Sequence, residues 1–188
     1  VPGPYENSDT PEQQIPEKPV HYHWETCMTM ATSWSYVPND TYKSTNTIIH
    51  NLIDIVSKGG NYLLNIAPGP DGEWHDEAYQ RLKEIGAWMK LNGDAIYKTR
   101  PIAPYQEGNI CFTQSKDGKT VYVFRLLKEN EILPATISFK GIPINNNSAI
   151  QLVGSNQKLK WEKEGETVTV FLPGKLIAQH AIAIKITL

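Results

Sequence analysis

The sequence predicts an α/β region, the last strand-helix units of a partial (β/α)8-like barrel, followed by an all-β antiparallel sandwich. Two observations predict this order. Residues 20–93 alternate strand and helix patterns with short connections, which is typical of βα-repeats. From about residue 108 onward, short strand patterns follow one another with turn residues between them. The prolines and glycine of TRPIAPYQEG separate the two regions, so we predict domains at residues 1–100 and 101–188.

The α/β region contains two predicted strands and two predicted helices. A strand is predicted over residues 21–30, which are rich in aromatic and β-favouring side chains. Apolar residues at helical spacing over 48–56, followed by two glycines, predict the first helix. The apolar run at 62–66 predicts a parallel strand buried on both faces, and residues 78–93 predict the second helix. Because a full barrel needs about 250 residues, we expect its other units upstream or in a partner chain.

The second region is predicted to be a series of antiparallel strands. Asp117 and Gly118 form a hairpin turn signal between the strand patterns NICFTQ and TVYVFRLL. Further strand patterns, each bounded by turn residues, are TISFKG, AIQLVG, KLKWEKE, TVTVFLP and AIAIKITL. Short strands at such intervals are typical of a β-sandwich rather than of βα-units.

Composition and charge argue against several classes of function. The chain has 188 residues, 40% of them hydrophobic, which is enough for a folded core. A formal charge of -2 without runs of like charge argues against nucleic acid or an anionic membrane surface as a partner. Every apolar stretch is shorter than the roughly 20 residues that a membrane span needs. Cys27 and Cys111 have neither metal-ligand nor disulfide-framework spacing, and we expect no metal or organic cofactor.

The first residues, VPGPYENSDTPEQQIPEKP, have the composition of a loop. They contain no initiator methionine, no charged n-region and no apolar h-region, so they match neither a natural start nor a signal peptide. We therefore expect the chain to be the C-terminal piece of a longer protein, whose N-terminal part completes the barrel. The localisation is unknown from this chain, because any targeting signal would lie in that other part.

Two carboxylates are the main candidates for chemistry. Glu12 lies between two prolines, which restrict the backbone and can aim the side chain; the alternative is a solvated loop carboxylate. Glu25 is predicted on the same strand face as His21 and His23, where it is either catalytic or an ion satisfied in the core. Each histidine either polarises a substrate or forms a structural hydrogen bond. The pattern alone does not decide whether the Glu12 loop lies at the active-site end of the barrel or at the opposite end.

An aromatic pair, Trp34 and Tyr36, follows the first predicted strand. In barrels of this type the active site lies at the C-terminal ends of the strands, where such a pair can stack on the apolar face of a sugar ring. Packing in the core is the alternative for both residues. Asp71, in the PDG turn after the second strand, is predicted to be a turn former or a helix cap. No GxGxxG, P-loop or GxSxG pattern is present, which disfavours nucleotide and serine-hydrolase chemistry.

Several sequence blocks together resemble one enzyme family. The runs WETCMTM, SWSY, SKGGNYLLNIAPGPDG and NGDAIY are similar to the C-terminal part of the catalytic domain of glycoside hydrolase family 29, the α-L-fucosidases. The resemblance covers about residues 10–100, and the sandwich after residue 105 fits the C-terminal β-domain of these enzymes. It implies an exo-glycosidase that hydrolyses terminal α-L-fucosyl linkages of a fucosylated glycan. It also implies a retaining, double-displacement mechanism and a periplasmic, secreted or lysosomal location.

The resemblance also implies roles for particular residues. Glu12 matches the acid/base glutamate of the family, with Glu25 as the fallback and Glu6 and Glu17 as further alternatives. Trp34 matches an aromatic residue that lies against the apolar side of fucose. Together with Tyr36 and His23, it completes our set of predicted substrate-binding residues. None of the seven aspartates lies in a setting like that of the family's nucleophile, so we expect the chain to be inactive by itself.

One alternative places the function in the second region alone. The chain would then be a noncatalytic carbohydrate-binding module, with Trp161 in the sandwich contacting the sugar. A purely structural sandwich that covers the barrel is a further possibility. Both alternatives leave the WETC and GGNYLLNIA blocks without a purpose.

Overall fold

A computed structural model of the protein describes residues 10–155, 157–174 and 178–188. Within these residues the chain forms two α-helices, one 3-10 helix and ten β-strands. In chain order the elements are β1 (Glu25–Thr29), α1 (Thr45–Ser57), β2 (Asn61–Asn65), α2 (Asp76–Asn92), the 3-10 helix (Gly93–Ala95), β3 (Thr99–Glu107), β4 (Ile110–Ser115), β5 (Thr120–Leu126), β6 (Thr136–Phe139), β7 (Ala149–Leu152), β8 (Trp161–Glu164), β9 (Thr167–Phe171) and β10 (Ala181–Thr187).

Strands β1 and β2 form a parallel pair that α1 connects, as a βαβ unit requires. Helix α1 begins after Ser44, whose side chain accepts a hydrogen bond from the Thr47 N–H. It ends ahead of Gly59, which has a left-handed φ of 84°. Gly60 then lies so close to the Trp24 indole that an added Cβ would be 2.4 Å from the ring. The two glycines therefore allow the tight return of the chain from α1 into β2.

The eight remaining strands form two antiparallel sheets, with orders β3-β4-β5-β10-β7 and β6-β9-β8. Their facing sides share one hydrophobic cluster, to which Phe112, Val123, Phe139 and Ile184 belong. The two sheets thus pack as a sandwich.

The five-stranded sheet is buried on both of its faces. Its second face packs against α1 and α2 through a separate cluster that includes Ile53, Trp88 and Phe124. The Trp88 Nε1–H donates to the Ala181 carbonyl of β10 over 2.8 Å. Because both faces are covered, the central strands have continuous apolar runs, such as VYVF in β5, rather than an alternating pattern.

The structure differs from the sequence-based expectations at three places. β1 begins at Glu25 rather than at residue 21, so His21 and His23 precede the strand. β2 is not buried on both faces: its Leu63 is 53% exposed, because little of the described chain packs over the face on which Leu63 lies. The segment predicted as the domain boundary forms β3, which pairs with β4 and bulges between residues 101 and 106.

Neither of the two α-helices in the described parts of the chain is long and apolar enough to cross a lipid bilayer.

Candidate active site

One face of the β1-β2 pair is open. On the opposite face, Met28 points toward α1, where its sulfur accepts from the Asn51 amide over 3.6 Å. Because side chains alternate along a strand, Cys27 points to the open side. The partner of Cys27 in the register is Leu63, whose large exposure shows that little covers this face. The open face is therefore the part of the sheet that is available for other groups.

Glu12 lies at the edge of this open face. Its backbone forms a parallel bridge with Cys27, on the edge of β1 that β2 does not occupy. The bridge consists of the bonds Gln13 N–H to Cys27 O, 2.9 Å, and Cys27 N–H to Pro11 O, 3.3 Å. The Glu12 side chain is exposed. Since paired residues point to the same side of a sheet, Glu12 shares the open face with Cys27.

Gln13 connects this segment to the C-terminal end of β1. Its Nε2 donates to Thr29 Oγ1 over 2.9 Å, and its Oε1 accepts from the Thr29 N–H over 3.4 Å. Thr29 in turn donates its hydroxyl hydrogen to the Ala31 carbonyl. The Lys43 ammonium group donates to the carbonyl and hydroxyl oxygens of Thr29. The Gln13 side chain thus attaches this loop to the C-terminal end of β1, whereas the loop backbone pairs with Cys27 at the middle of the strand.

Trp34 lies at the same end of the sheet. The Asn65 side-chain amide, at the end of β2, donates to the Trp34 carbonyl over 3.0 Å, and the Asn65 carbonyl accepts from Met30 N–H over 2.9 Å. The Trp34 side chain is 40% exposed. Tyr36 is only partly exposed, and its ring centroid lies 4.9 Å from that of His75. Trp34 is therefore available to a ligand, whereas Tyr36 packs among the loops that follow β1 and β2.

His23 and Glu25 lie at the opposite end of β1. His23 is exposed and precedes the strand, and Glu25 is its first residue, paired with Asn61. Five residues at about 3.3 Å each separate that end from the Trp34 loop. Glu12 lies level with Cys27 at the middle of β1, whereas Trp34 follows the C-terminal end of the strand and His23 precedes its N-terminal end. Glu17 is exposed, and Glu6 lies outside the described residues.

Three polar residues of this region had no signal in the sequence. Gln13, Lys43 and Asn65 all bind the ends of β1 and β2 or the loop after β1. Burial lowers the pKa of Lys43 from its ordinary value. Of these three residues, only Gln13 is next to a predicted site residue in the sequence. A glutamine in a loop predicts no particular contact.

Most aspartates of the described chain have a structural contact that accounts for them. Asp40 accepts hydrogen bonds from Thr32, which lower the pKa of its carboxyl group. Asp71 accepts from the Glu73 N–H at 3.1 Å, as expected of a turn former. Asp54 forms an ion pair with Lys58, and Asp117 accepts from Ser115 in the β4-β5 hairpin turn. No group of three metal-ligating side chains occurs among residues 10–155, 157–174 and 178–188.

Comparison with known proteins identifies the family of the chain. A family model described as alpha-L-fucosidase matches residues 3–94, which include Glu12, both parallel strands and both helices. The chain belongs to the α-L-fucosidase family. It is 33% identical over 183 residues to the tissue α-L-fucosidase of Bos taurus, and this match covers 92% of the chain but 38% of the bovine protein. It is 31% identical to the plasma α-L-fucosidase of Homo sapiens, again over 38% of that protein. The chain thus spans less than half the length of these relatives.

Solved structures of α-L-fucosidases have the same fold. Isoenzyme 1 from Paenibacillus thiaminolyticus superposes with a TM-score of 0.82 at 26% identity, over 96% of this chain and 44% of that one. The Thermotoga maritima α-fucosidase in complex with fucose gives a TM-score of 0.79 at 24% identity, over 95% of this chain and 41% of that one. Since these matches cover almost the whole chain, the similarity of fold includes the sandwich.

Proposed function

We propose that the chain is the C-terminal portion of a retaining α-L-fucosidase and supplies the general acid/base, Glu12, to an active site completed by upstream residues. One observation carries the proposal: the backbone bridge holds Glu12 on the open sheet face, and the adjacent Gln13 binds the end of the sheet at which Trp34 is exposed. Family membership supplies the reaction class. The substrate in this proposal is a glycan with a terminal α-L-fucosyl group.

The open face supports the proposal that residues 1–100 belong to a (β/α)8-like catalytic domain. β2 has an unpaired edge within the described residues, and the exposed Leu63 would be buried if further strands continued the sheet from this edge and closed it into a barrel over the open face. Active sites of such barrels lie at the C-terminal ends of the strands, which is the end of the Trp34 loop. The upstream part of the protein would then supply the nucleophilic aspartate.

In this mechanism Glu12 acts twice. Its protonated carboxyl group first donates to the leaving oxygen while the upstream aspartate attacks the anomeric carbon. Its carboxylate then takes a proton from the water that releases fucose. Retaining enzymes hold the two carboxyl groups about 5 to 5.5 Å apart, which defines where the aspartate must lie. Trp34 would stack against the apolar side of the sugar.

For residues 101–188 we propose a supporting role. The five-stranded sheet packs on α1 and α2 through a cluster that includes Ile53, Trp88 and Phe124. It therefore shields the apolar sides of the two helices from water. Trp161, the candidate for a separate sugar site, is partly buried and packs against the sandwich core. The structural role therefore accounts for more of this domain than a binding role does.

The test is the exchange Glu12→Gln in the full-length protein, with Glu25→Gln as the comparison. General acid/base catalysis contributes about 10²–10⁴-fold, so we expect kcat/KM for a fucosyl disaccharide to fall by at least about 100-fold. An aryl fucoside with an acidic phenol, whose leaving group needs little protonation, should lose much less. If Glu25→Gln gave this leaving-group dependence and Glu12→Gln did not, the acid/base would be Glu25.

A further inference from the structure

We propose that Gln13 is a positioning residue, which sets the direction of the Glu12 carboxyl group by clamping its segment to Thr29. The inference rests on the proposed function of Glu12 and adds a residue to it. Glu12 itself is exposed, and no hydrogen bond or ion pair of its side chain with another described residue fixes its direction. Its placement must therefore come from its neighbours in the chain.

The backbone supplies the first part of the placement. Pro11 and Gln13 flank Glu12, and each forms one hydrogen bond with Cys27 of β1. After this bridge the chain turns sharply, because Gln13 has a left-handed φ of 55°. The turn takes the chain back along β1, so that the Gln14 carbonyl accepts from the Thr26 hydroxyl over 2.7 Å. Glu12 thus lies immediately before the point at which the chain reverses direction. If the turn at Gln13 shifted, Glu12 would move with it.

The side chain of Gln13 holds that reversal in place. Its amide contacts Thr29 twice, as donor to the hydroxyl oxygen and as acceptor from the N–H. Thr29 is 1% exposed, and its hydroxyl group also contacts Ala31 and Lys43. These contacts hold the anchor rigidly, whether or not Gln13 is present. The Gln13 side chain therefore joins an exposed loop to Thr29, a buried residue that Ala31 and Lys43 also hold in place.

This arrangement predicts a defect in positioning rather than in folding. Removal of the Gln13 amide leaves the segment attached by the two backbone bonds to Cys27 and by the bond from Thr26 to the Gln14 carbonyl. Thr29 keeps Ala31 and Lys43 as partners. Misplacement of a catalytic group by about 1 Å can cost about 100-fold in rate. The loss should affect the two proton transfers of Glu12, and kcat/KM for a poor leaving group reports the first of them.

The test compares Gln13→Leu with Gln14→Leu in the full-length protein. Leucine fills a similar volume without hydrogen bonds, and Gln14 contributes its backbone carbonyl rather than its side chain. For Gln13→Leu we expect kcat/KM on a fucosyl disaccharide to fall by about 10- to 100-fold, with less than about threefold loss on the aryl fucoside with an acidic phenol. Gln14→Leu should match the wild type.

Thr29 provides the second pair of variants. Thr29→Ser keeps the hydroxyl group and should preserve activity. Thr29→Val removes the acceptor of the Gln13 amide, together with the hydroxyl contacts to Ala31 and Lys43, and should show at least the Gln13→Leu defect. Adding Gln13→Leu to Thr29→Val should cause little further loss, because the contact between the Gln13 amide and the Thr29 hydroxyl is already absent. A double variant whose losses simply multiply would contradict the clamp.

Two outcomes separate this inference from the proposed function. If Glu12→Gln shows the leaving-group dependence but Gln13→Leu behaves as wild type, the clamp is wrong and the acid/base assignment stands. An equal loss on both substrates in Gln13→Leu also overturns the clamp, because it indicates general damage to the site. If Glu12→Gln has no effect, the proposed function fails and the inference fails with it.

Discussion

Glu12 and Cys27 pair in a parallel bridge, so the loop that carries Glu12 adds a third backbone segment to the β1-β2 sheet. Neighbouring strands lie about 4.8 Å apart, which puts Glu12 about 10 Å from β2, across the width of β1. The bridge explains how a loop with two prolines has a defined place. Because Glu12 and Cys27 share the open face of β1, experiments on this face test the proposed site.

The reactivity of the two cysteines would show whether this face is open. Burial raises the pKa of the Cys111 thiol to about 12, and Cys111 is fully buried behind α1, so it should not react in the native state. Cys27 is partly exposed on the open face. We expect a thiol reagent to modify one cysteine of the native 188-residue chain and both after denaturation. Peptide mapping should identify Cys27 as the fast site.

The full-length protein provides the control for the thiol experiment. There we expect Cys27 to react more slowly than in the 188-residue chain, because the upstream strands would cover the open face. Equal rates in the two proteins would contradict the barrel proposal. Rapid labelling of Cys111 in the native chain would contradict the packing of α1 on the sheet.

The contact between Gly60 and Trp24 predicts an unusual sensitivity to a single methyl group. Gly60→Ala would put a Cβ about 2.4 Å from the buried indole, so Trp24 must move, and we expect a loss of about 1–3 kcal/mol in the free energy of unfolding. Gly86→Ala is the matched control, because nothing lies within 4 Å of its Cβ position in α2. It should stabilise the protein by about 0.5–1 kcal/mol. Urea unfolding measures both, and a neutral Gly60→Ala would disprove the close approach.

Trp34 should contribute to substrate binding and little to stability. Its side chain is 40% exposed, so Trp34→Ala should leave the melting temperature unchanged within a few degrees. Loss of a stacking contact worth about 0.5–1.5 kcal/mol should raise KM for a fucoside by about 2- to 13-fold in the full-length protein. Trp34→Phe should restore most of the affinity. An unchanged KM in Trp34→Ala would remove Trp34 from the site.

His180 predicts a loss of stability in acid. Burial lowers its pKa below the ordinary value of 6.5, and the nearby Glu84 carboxylate opposes this shift only in part. As pH falls, His180 is protonated at a higher pH in the unfolded chain than in the folded protein, and this favours unfolding. The contribution of neutral His180 to stability is therefore fully present above about pH 6.5 and is lost as pH falls through the lower pKa of the folded state. The free energy of unfolding should therefore fall less between pH 7.5 and about pH 5 in His180→Asn than in the wild type. Parallel pH curves for the two proteins would exclude His180 as the cause.

Most secondary structure could be predicted because it depends on local patterns. The two helices, the second parallel strand and the seven strands from β4 to β10 lie where apolar periodicity and turn residues indicated. β3 was missed because Pro101 and Pro104 signal a linker, whereas a bulge lets this edge strand pair around them. β1 was predicted too long, because the composition of HYHW favours a strand, whereas the pairing of β1 with β2 begins only at Glu25.

For the candidate site, the sequence determined which residues are available, and the tertiary structure decided where each of them lies along β1. Glu12 and Trp34 were identifiable from the loop composition and from family resemblance, and so was His23. Their separation depends on where β1 begins and ends and on a bridge between residues 15 apart, Glu12 and Cys27, which no local pattern encodes. Side-chain contacts such as that of Gln13 with Thr29 arise only once the chain has folded back on the strand. Periodicity is a local property of the chain, whereas a site is a set of distances between distant residues, so only the folded structure defines it.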